Sequence, residues 1–299
     1  MSKNQVSNPL RYPGSKSSLT GYIAAIIEEN LLSGCTIYEP YAGSAIVSLE
    51  MLNKGFAHRA VLVERDPLVY AFWKAVFTNA EALCEEIEAL DVSIETWNSF
   101  QPYREVINPD EYSILELGLA GLFFNRTNFS GIIGAGPIGG YNQSSKYTIG
   151  CRFNRSRIIG QISEISQLKE RVNVIFGDAL GFLEAKEEEI EKSFSFVYID
   201  PPYYAQGKRL YRYYYEDDSH QKLADYILSK EFPWLISYDD HPKIRAMYAK
   251  TPVQQINLDY SVKTSRKGRE LLISNLVIPQ QFKAILREGN VDVPNVIIS

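Results

Sequence analysis

Asp200-Pro201-Pro202-Tyr203 is the stretch of this sequence whose residue types could do chemistry. A carboxylate and a proline carbonyl can accept both hydrogen bonds of a planar amine, and a tyrosine ring offers a stacking face. The run before it, residues 194–199, is apolar, β-branched and aromatic and reads as a buried strand. The acid, two prolines and ring thus fall where a parallel strand would end, the edge at which open α/β sheets bind ligands. Asp-Pro-Pro also makes an ordinary turn, because proline presets φ and pushes the preceding residue extended.

A second constellation lies far upstream. Residues 36–47 run from a short apolar strand through Glu39-Pro40-Tyr41-Ala42-Gly43-Ser44-Ala45 into a helix. Gly43, Ser44 and Ala45 let backbone approach a ligand closely. A further strand at residues 60–63 ends in Glu64-Arg65-Asp66. Glu64 follows the small-residue turn by about 20 residues, the spacing at which a carboxylate can bind ribose hydroxyls. Together these pieces describe a nucleoside-binding α/β domain with an amine-binding acid on a later strand.

The elements that must position these groups follow from periodicity. Residues 18–32 carry a helical apolar face, preceded by Arg11-Tyr12-Pro13-Gly14-Ser15-Lys16, a turn whose free N–H groups suit an anion. Residues 67–89 read as helix, with Trp73 and Phe77 in the core. The middle changes character: residues 115–124 form an apolar helix, and residues 125–150 are turn-rich and read as a loop or hairpin. Residues 155–167 are helical again. Strands resume at 172–176 and 234–238, helices at 222–228 and 243–248, and residues 253–258 and 270–277 close as an antiparallel pair. The expected fold is therefore α/β, a Rossmann-like sheet with an inserted, mainly helical lobe. Its expected division is 1–75 with 172–280 for the catalytic domain, 76–171 for the lobe and 281–299 for a tail.

The bulk numbers bound the function. The chain has 299 residues, 45% hydrophobic and 22% charged, the make-up of an ordinary globular protein. No apolar run is long enough to span a membrane, and no signal-like stretch follows the N-terminus, so a cytoplasmic protein is expected. Three scattered cysteines and three histidines form no metal spacing. The net charge of −5 hides a polarity: residues 121–171 hold seven cations against two acids. Such a segment suits a one-sided phosphate-binding face. Lys208, Arg209 and Arg212 among the tyrosines of residues 207–215 suit a second, base-stacking contact.

In their linear order these segments resemble the Dam-like group of DNA N6-adenine methyltransferases, over roughly residues 11–275. The resemblance implies S-adenosyl-L-methionine as cofactor and Asp200, Pro201, Pro202 and Tyr203 as the catalytic motif. It implies cofactor contacts at Tyr12, Lys16, Glu39, Pro40, Tyr41, Gly43, Ser44, Ala45, Glu64, Asp66, Asp178 and Asp200, and no metal. For double-stranded DNA it implies Asn125, Arg126, Asn128, Lys146, Arg152, Asn154, Arg155, Lys208, Arg209, Arg212 and Lys267. Two departures stand out. Ala45 replaces the family's second glycine, which leaves binding intact unless that residue needs a positive φ. Ile132-Ile133-Gly134-Ala135-Gly136 stands where GATC-reading relatives carry a basic residue and an asparagine, which argues against a GATC target.

The reaction so implied is direct transfer to the N6 amine of a base flipped out of the duplex, with Tyr203 stacked on it. A cognate restriction nuclease or a defence-system partner fits such an enzyme; the oligomeric state stays open. The alternatives are the same fold acting on RNA or cytosine N4, and a catalytically weak DNA- or cofactor-binding partner in a larger assembly.

Overall fold

The structure, a computed structural model, describes residues 5–12, 14–251, 253–259 and 267–279. Its centre is five parallel strands: β1 (Cys35–Glu39), β2 (Ala57–Glu64), β3 (Val172–Phe176), β4 (Ser195–Ile199) and β5 (Trp234–Asp239). With β6 (Val253–Asp259) and β7 (Lys267–Ser274) they form a seven-stranded sheet in the order β3-β2-β1-β4-β5-β7-β6. β7 runs antiparallel to both β5 and β6, the closing pair read from sequence. All five residues of β4 are buried, as expected for a parallel strand covered on both faces.

The winding of this sheet decides where a ligand can go. The chain moves outward from β1 to β2 and β3, then returns to the far side of β1 as β4 and proceeds the other way. The carboxyl ends of β1 and β4 flank that reversal, the crevice in which doubly wound sheets hold ligands. Glu39 is the last residue of β1, and Asp200 directly follows β4.

The helices cover both faces. α1 (Thr20–Glu29) and α2 (Ile46–Lys54) precede α3 (Pro67–Thr78), which starts on a strong signal. Asp66 caps it by accepting from the Leu68 N–H at 2.9 Å, and Pro67 occupies the first turn. The helix expected over 67–89 breaks at Asn79, and α4 (Ala80–Ala89) continues beyond it. α5 (Ile94–Ser99), α6 (Ile114–Thr127) and α7 (Arg155–Ser166) complete the inserted segment. α8 (Ala179–Lys192) follows β3, and α9 (Gly207–Leu210), α10 (Asp217–Leu228) and α11 (Pro242–Met247) come after β4. Three of these escape a periodicity reading, the shortest being α9 with four residues. α5 has only six residues, and the solvent face of α8 is so rich in acids that its apolar stripe is thin. None of the described helices is long and apolar enough to cross a membrane.

One core joins the inserted segment to the sheet. Leu117, Leu122, Phe123 and Phe124 of α6 are buried in the same cluster as Phe72 and Trp73 of α3 and Ile37 and Leu62 of the sheet. The contact requires glycine. A Cβ on Gly121 would lie 2.4 Å from the Leu68 carbonyl oxygen, and one on Gly118 2.9 Å from that of Ala71. The two helix backbones therefore touch, and the lobe cannot shift without opening the core.

This packing separates two glycine substitutions. Gly121→Ala should destabilise the protein by about 1–3 kcal/mol, since the added carbon overlaps backbone. Gly160→Ala, on an exposed face of α7 with open space around it, should stabilise by roughly 0.5–1 kcal/mol through helix propensity. Urea unfolding of the two variants reads the difference; equal effects would refute the close-packed interface.

Candidate active site

The N-terminal arm carries a cation into the sheet's centre. The Arg11 N–H donates to Asn125 Oδ1 at 2.7 Å, while Asn125 Nδ2 donates to the carbonyls of Arg11 (2.9 Å) and Gly131 (3.0 Å). Gly131 sits so close that a Cβ there would lie 2.2 Å from the Arg11 carbonyl oxygen. Held this way, the arm delivers Lys16, whose side chain is 2% exposed, to the end of β4. Its ammonium lies 2.7 Å from Asp200 Oδ1, 3.0 Å from the Gly14 carbonyl, 3.2 Å from the Tyr203 hydroxyl and 3.9 Å from Glu270 Oε1. Burial pulls the Lys16 pKa down, but Asp200 and Glu270 outweigh it and hold the ammonium charged.

Asp200 is oriented from two sides. Lys16 and the Ser237 hydroxyl, at 2.9 Å, both bond Oδ1. Oδ2 takes no hydrogen bond from any described residue, so this oxygen remains able to accept. Burial raises the Asp200 pKa, and Lys16 and Ser237 work against that rise. Pro201 is buried behind the carboxylate. Tyr203 donates to Glu270 Oε1 at 2.7 Å, and Lys16 Nζ sits 4.7 Å from its ring centroid.

Beside Asp200 opens a cavity of about 350 Å³ at the reversal of the sheet. Its floor is Glu39, Pro40, Tyr41, Gly43 and Ser44 from the β1 turn, Val63, Glu64 and Asp66 from β2, and Asp178 from the β3 end. Glu64 accepts from the N–H groups of Gly43 (2.9 Å) and Asp66 (2.8 Å), tying the two strand ends together. Glu39 accepts from the Ser48 N–H at 3.0 Å. Tyr12 closes one wall and packs on Gly43, where a Cβ would lie 2.8 Å from its ring. Asp178 caps α8 and pairs with Arg65 at 3.2 Å. Ala45 has φ 50°, the left-handed conformation on which the sequence expectation for this replacement turns. The left-handed conformation costs a non-glycine residue about 1–2 kcal/mol, yet the turn still aims the Gly43 N–H at Glu64.

Several residues expected to meet DNA are engaged elsewhere. Asn125 clamps the arm, as above. Asn128 is fully buried, accepts from Trp97 Nε1 at 2.7 Å and donates to the carbonyls of Ile132 and Ile133. Asn154 caps α7 through the Arg157 N–H. Arg155 donates to the Leu90 carbonyl. Arg212 pairs with Asp66 at 3.2 Å and donates to the Arg104 carbonyl at 2.5 Å. These engagements share a cause: polar side chains at helix ends and in turns serve the unpaired backbone first. Lys146, Arg152, Lys208 and Arg209 are exposed. Arg126 is half-buried and reaches Gln161 at 3.4 Å. The side chain of Lys267, with Lys263 and Arg266, lies outside the described residues. The segment read as a loop or hairpin is a loop, crossed by a single bridge between Asn128 and Pro137 among the described residues. Its residues 131–135 line the cavity rather than standing clear of it.

The site also recruits residues that the motif reading passes over. Glu270 and Ser237 reach Asp200 and Lys16 from β7 and β5. Tyr215 meets the Tyr41 hydroxyl at 2.7 Å, and Arg104 bridges Arg212 to the Ala135 carbonyl. Strand register brings both to the site: Ser237 continues the β4–β5 pairing that ends at Ile199 and Ile236, and Glu270 pairs with Asp239.

The family model described as D12 class N6 adenine-specific DNA methyltransferase matches residues 12–263. No curated protein matches the chain.

Glu39 and Glu64 generate a pH dependence. Burial lifts them from an ordinary 4.5 to about 8 and about 7. The folded chain thus keeps protons that the unfolded chain has released, and stability falls as pH rises toward those values. His220, pushed down to about 4 by burial, acts oppositely below its ordinary 6.5, so the clean window is pH 6.5–8. Across it the ligand-free protein should lose stability, and Glu39→Gln should flatten the loss. Urea unfolding at fixed ionic strength measures both; parallel slopes would refute a neutral Glu39.

Proposed function

We propose that this chain, which belongs to the D12 class of N6 adenine-specific DNA methyltransferases, draws its methyl group from S-adenosylmethionine bound in the cavity beside Asp200. It is a DNA adenine methyltransferase, and its family implies a methyl donor of the S-adenosylmethionine type. The finer reading rests on one observation: Asp200 has one oxygen fixed by Lys16 and Ser237 and the other, beside the cavity, unengaged by any described residue.

The cavity suits the donor. Glu64 ends β2 where ribose hydroxyls can donate to it, and Val63 and Val69 offer an apolar slot for a purine. Glu39, Asp178 and the Gly43–Ala45 turn complete the set, with Tyr12, Pro40, Tyr41 and Asp66 as walls. When bound, S-adenosylmethionine supplies an electrophilic methyl group on a sulfonium.

The protein's own work is positioning and electrostatics. The adenine amine is a weak nucleophile, because its lone pair is delocalised into the ring. Asp200 Oδ2 and the Pro201 carbonyl can each accept one N6–H bond, which favours a pyramidal nitrogen with its lone pair directed away from them. Lys16 keeps Asp200 ionised for that task. An adenine inside a duplex cannot reach this carboxylate, so the base must leave the stack. Tyr203, held by Glu270 and Lys16, supplies the ring against which it rests.

DNA would lie over the inserted lobe of residues 76–171. Arg152 and Lys146 are exposed there, and Lys208 and Arg209 stand at the cavity rim. Arg11 and Arg126 each keep a buried guanidinium nitrogen with no hydrogen-bond partner among the described residues. Burial, then Arg11 and Arg157, lower Arg126 to about 10. Cations crowded together without an acid fit a phosphate ligand. A cytoplasmic location and a cognate nuclease partner agree with this reading.

Methyl-labelled S-adenosylmethionine and unmodified duplex DNA test it, with methylated positions mapped by sequencing. Wild type should place label on adenine N6 in one short motif. Asp200→Ala should abolish transfer while leaving DNA binding measurable; retained turnover would remove Asp200 from the mechanism. Arg152→Ala should lower the slope of log affinity against log salt by about one, and an unchanged slope would take that arginine off the phosphate path.

A further inference from the structure

The carboxyl end of β5 touches the first residue of the catalytic tetrapeptide and the loop just past its last. Ser237 and Asp239 are two apart on one strand, so their side chains leave the same face. The Ser237 hydroxyl donates to Asp200 Oδ1 at 2.9 Å. Asp239 accepts from two successive amides just past Tyr203, the N–H of Tyr204 to Oδ1 at 2.8 Å and that of Ala205 to Oδ2 at 3.0 Å. Behind Ser237 stands Tyr198 of β4, fully buried, its hydroxyl 2.9 Å from Ser237 Oγ. A serine has one proton, and an ionised carboxylate can only accept. With that proton on Asp200, Tyr198 must be the donor to Ser237. The chain of donors therefore runs from Tyr198 to Ser237 to Asp200, each bond polarising the next.

We infer that Ser237, oriented by Tyr198, and Asp239 are positioning residues for the methyl transfer: Ser237 fixes the rotation of the Asp200 carboxylate so that Oδ2 faces the amine, and Asp239 fixes the loop that carries Tyr203. This deepens the proposed reaction and rests on it. Lys16 alone does not set the carboxylate's rotation. An ammonium is a point charge whose three donors tolerate many angles, and here it also serves Gly14 and Tyr203. The hydroxyl of Ser237 sits on a buried strand with one direction open to it. Asp239 in turn supplies acceptors to two backbone donors in a turn that has no strand partner.

The test compares kcat, the KM values for donor and DNA, and the pH dependence of kcat in wild type, Asp200→Ala, Ser237→Ala, Ser237→Thr, Tyr198→Phe and Asp239→Asn. Ser237→Ala should lower kcat about tenfold or more, the order set by one charge-assisted hydrogen bond, with both KM values within about twofold. Its acid limb should move to higher pH, because a bond that favours the carboxylate has been removed. Ser237→Thr should restore both quantities, and Tyr198→Phe should move them the same way by less. Asp239→Asn, which leaves one oxygen acceptor, should lower kcat while leaving the acid limb in place. A Ser237→Ala enzyme that loses thermal stability but keeps wild-type kcat and acid limb would overturn the inference. Activity in Asp200→Ala would instead overturn the reaction assignment, so the two failures are distinguishable.

Discussion

The buried ion pair between Lys16 and Asp200 is the contact on which the rest of this structure depends. A charge removed from water is unfavourable by several kcal/mol unless partners replace its hydration. The Lys16 ammonium finds three hydrogen-bond acceptors and a second carboxylate, and they come from distant parts of the chain. Satisfying one cation thus joins the N-terminal arm, the end of β4 and the middle of β7. Removing any partner would leave charge stranded in the interior, which is why the arm, the tetrapeptide and β7 must be in place together.

The cavity walls follow from the same economy of buried groups. Glu64 is kept at the floor by two backbone N–H groups that would otherwise be unpaired at the strand ends. Glu39 is held by the first turn of α2. Both acids are pushed toward neutrality by burial, so a ligand that donates hydrogen bonds to them relieves a strain already present. Above the cavity the segment after Tyr203 is fastened at Asp66 and Arg104 through Arg212, and at Tyr41 through Tyr215. The inserted lobe is fastened as firmly, through glycines of α6 that admit the backbone of α3. Its cations therefore stand in a fixed relation to the Asp200 carboxylate.

Much of this was legible in the sequence, for a definite reason. Strand ends, small-residue turns and helix starts are local events, governed by steric limits and by backbone groups needing partners within a few residues. Hence the strand before Asp200, the turn at Gly43–Ala45 and the closing antiparallel pair all appear where residue type predicted them. The family resemblance added the order in which these pieces occur, and the matching family model extends over residues 12–263.

What tertiary structure alone decided is how each polar side chain is used. The resemblance implies Asn125, Asn128 and Arg212 as DNA contacts, and folding also gives each a backbone or carboxylate partner within the chain. Ser237 carries no motif of its own, yet register brings it to Asp200, and it brings Glu270 to Lys16 and Tyr203, across strands separated by tens of residues. Ala45 reads as a conservative replacement until the turn's left-handed φ is seen. Residue type determines what a side chain can bond to; only the assembled fold determines which partner is within about 3 Å of it, and that distance is what turns a list of candidates into a site.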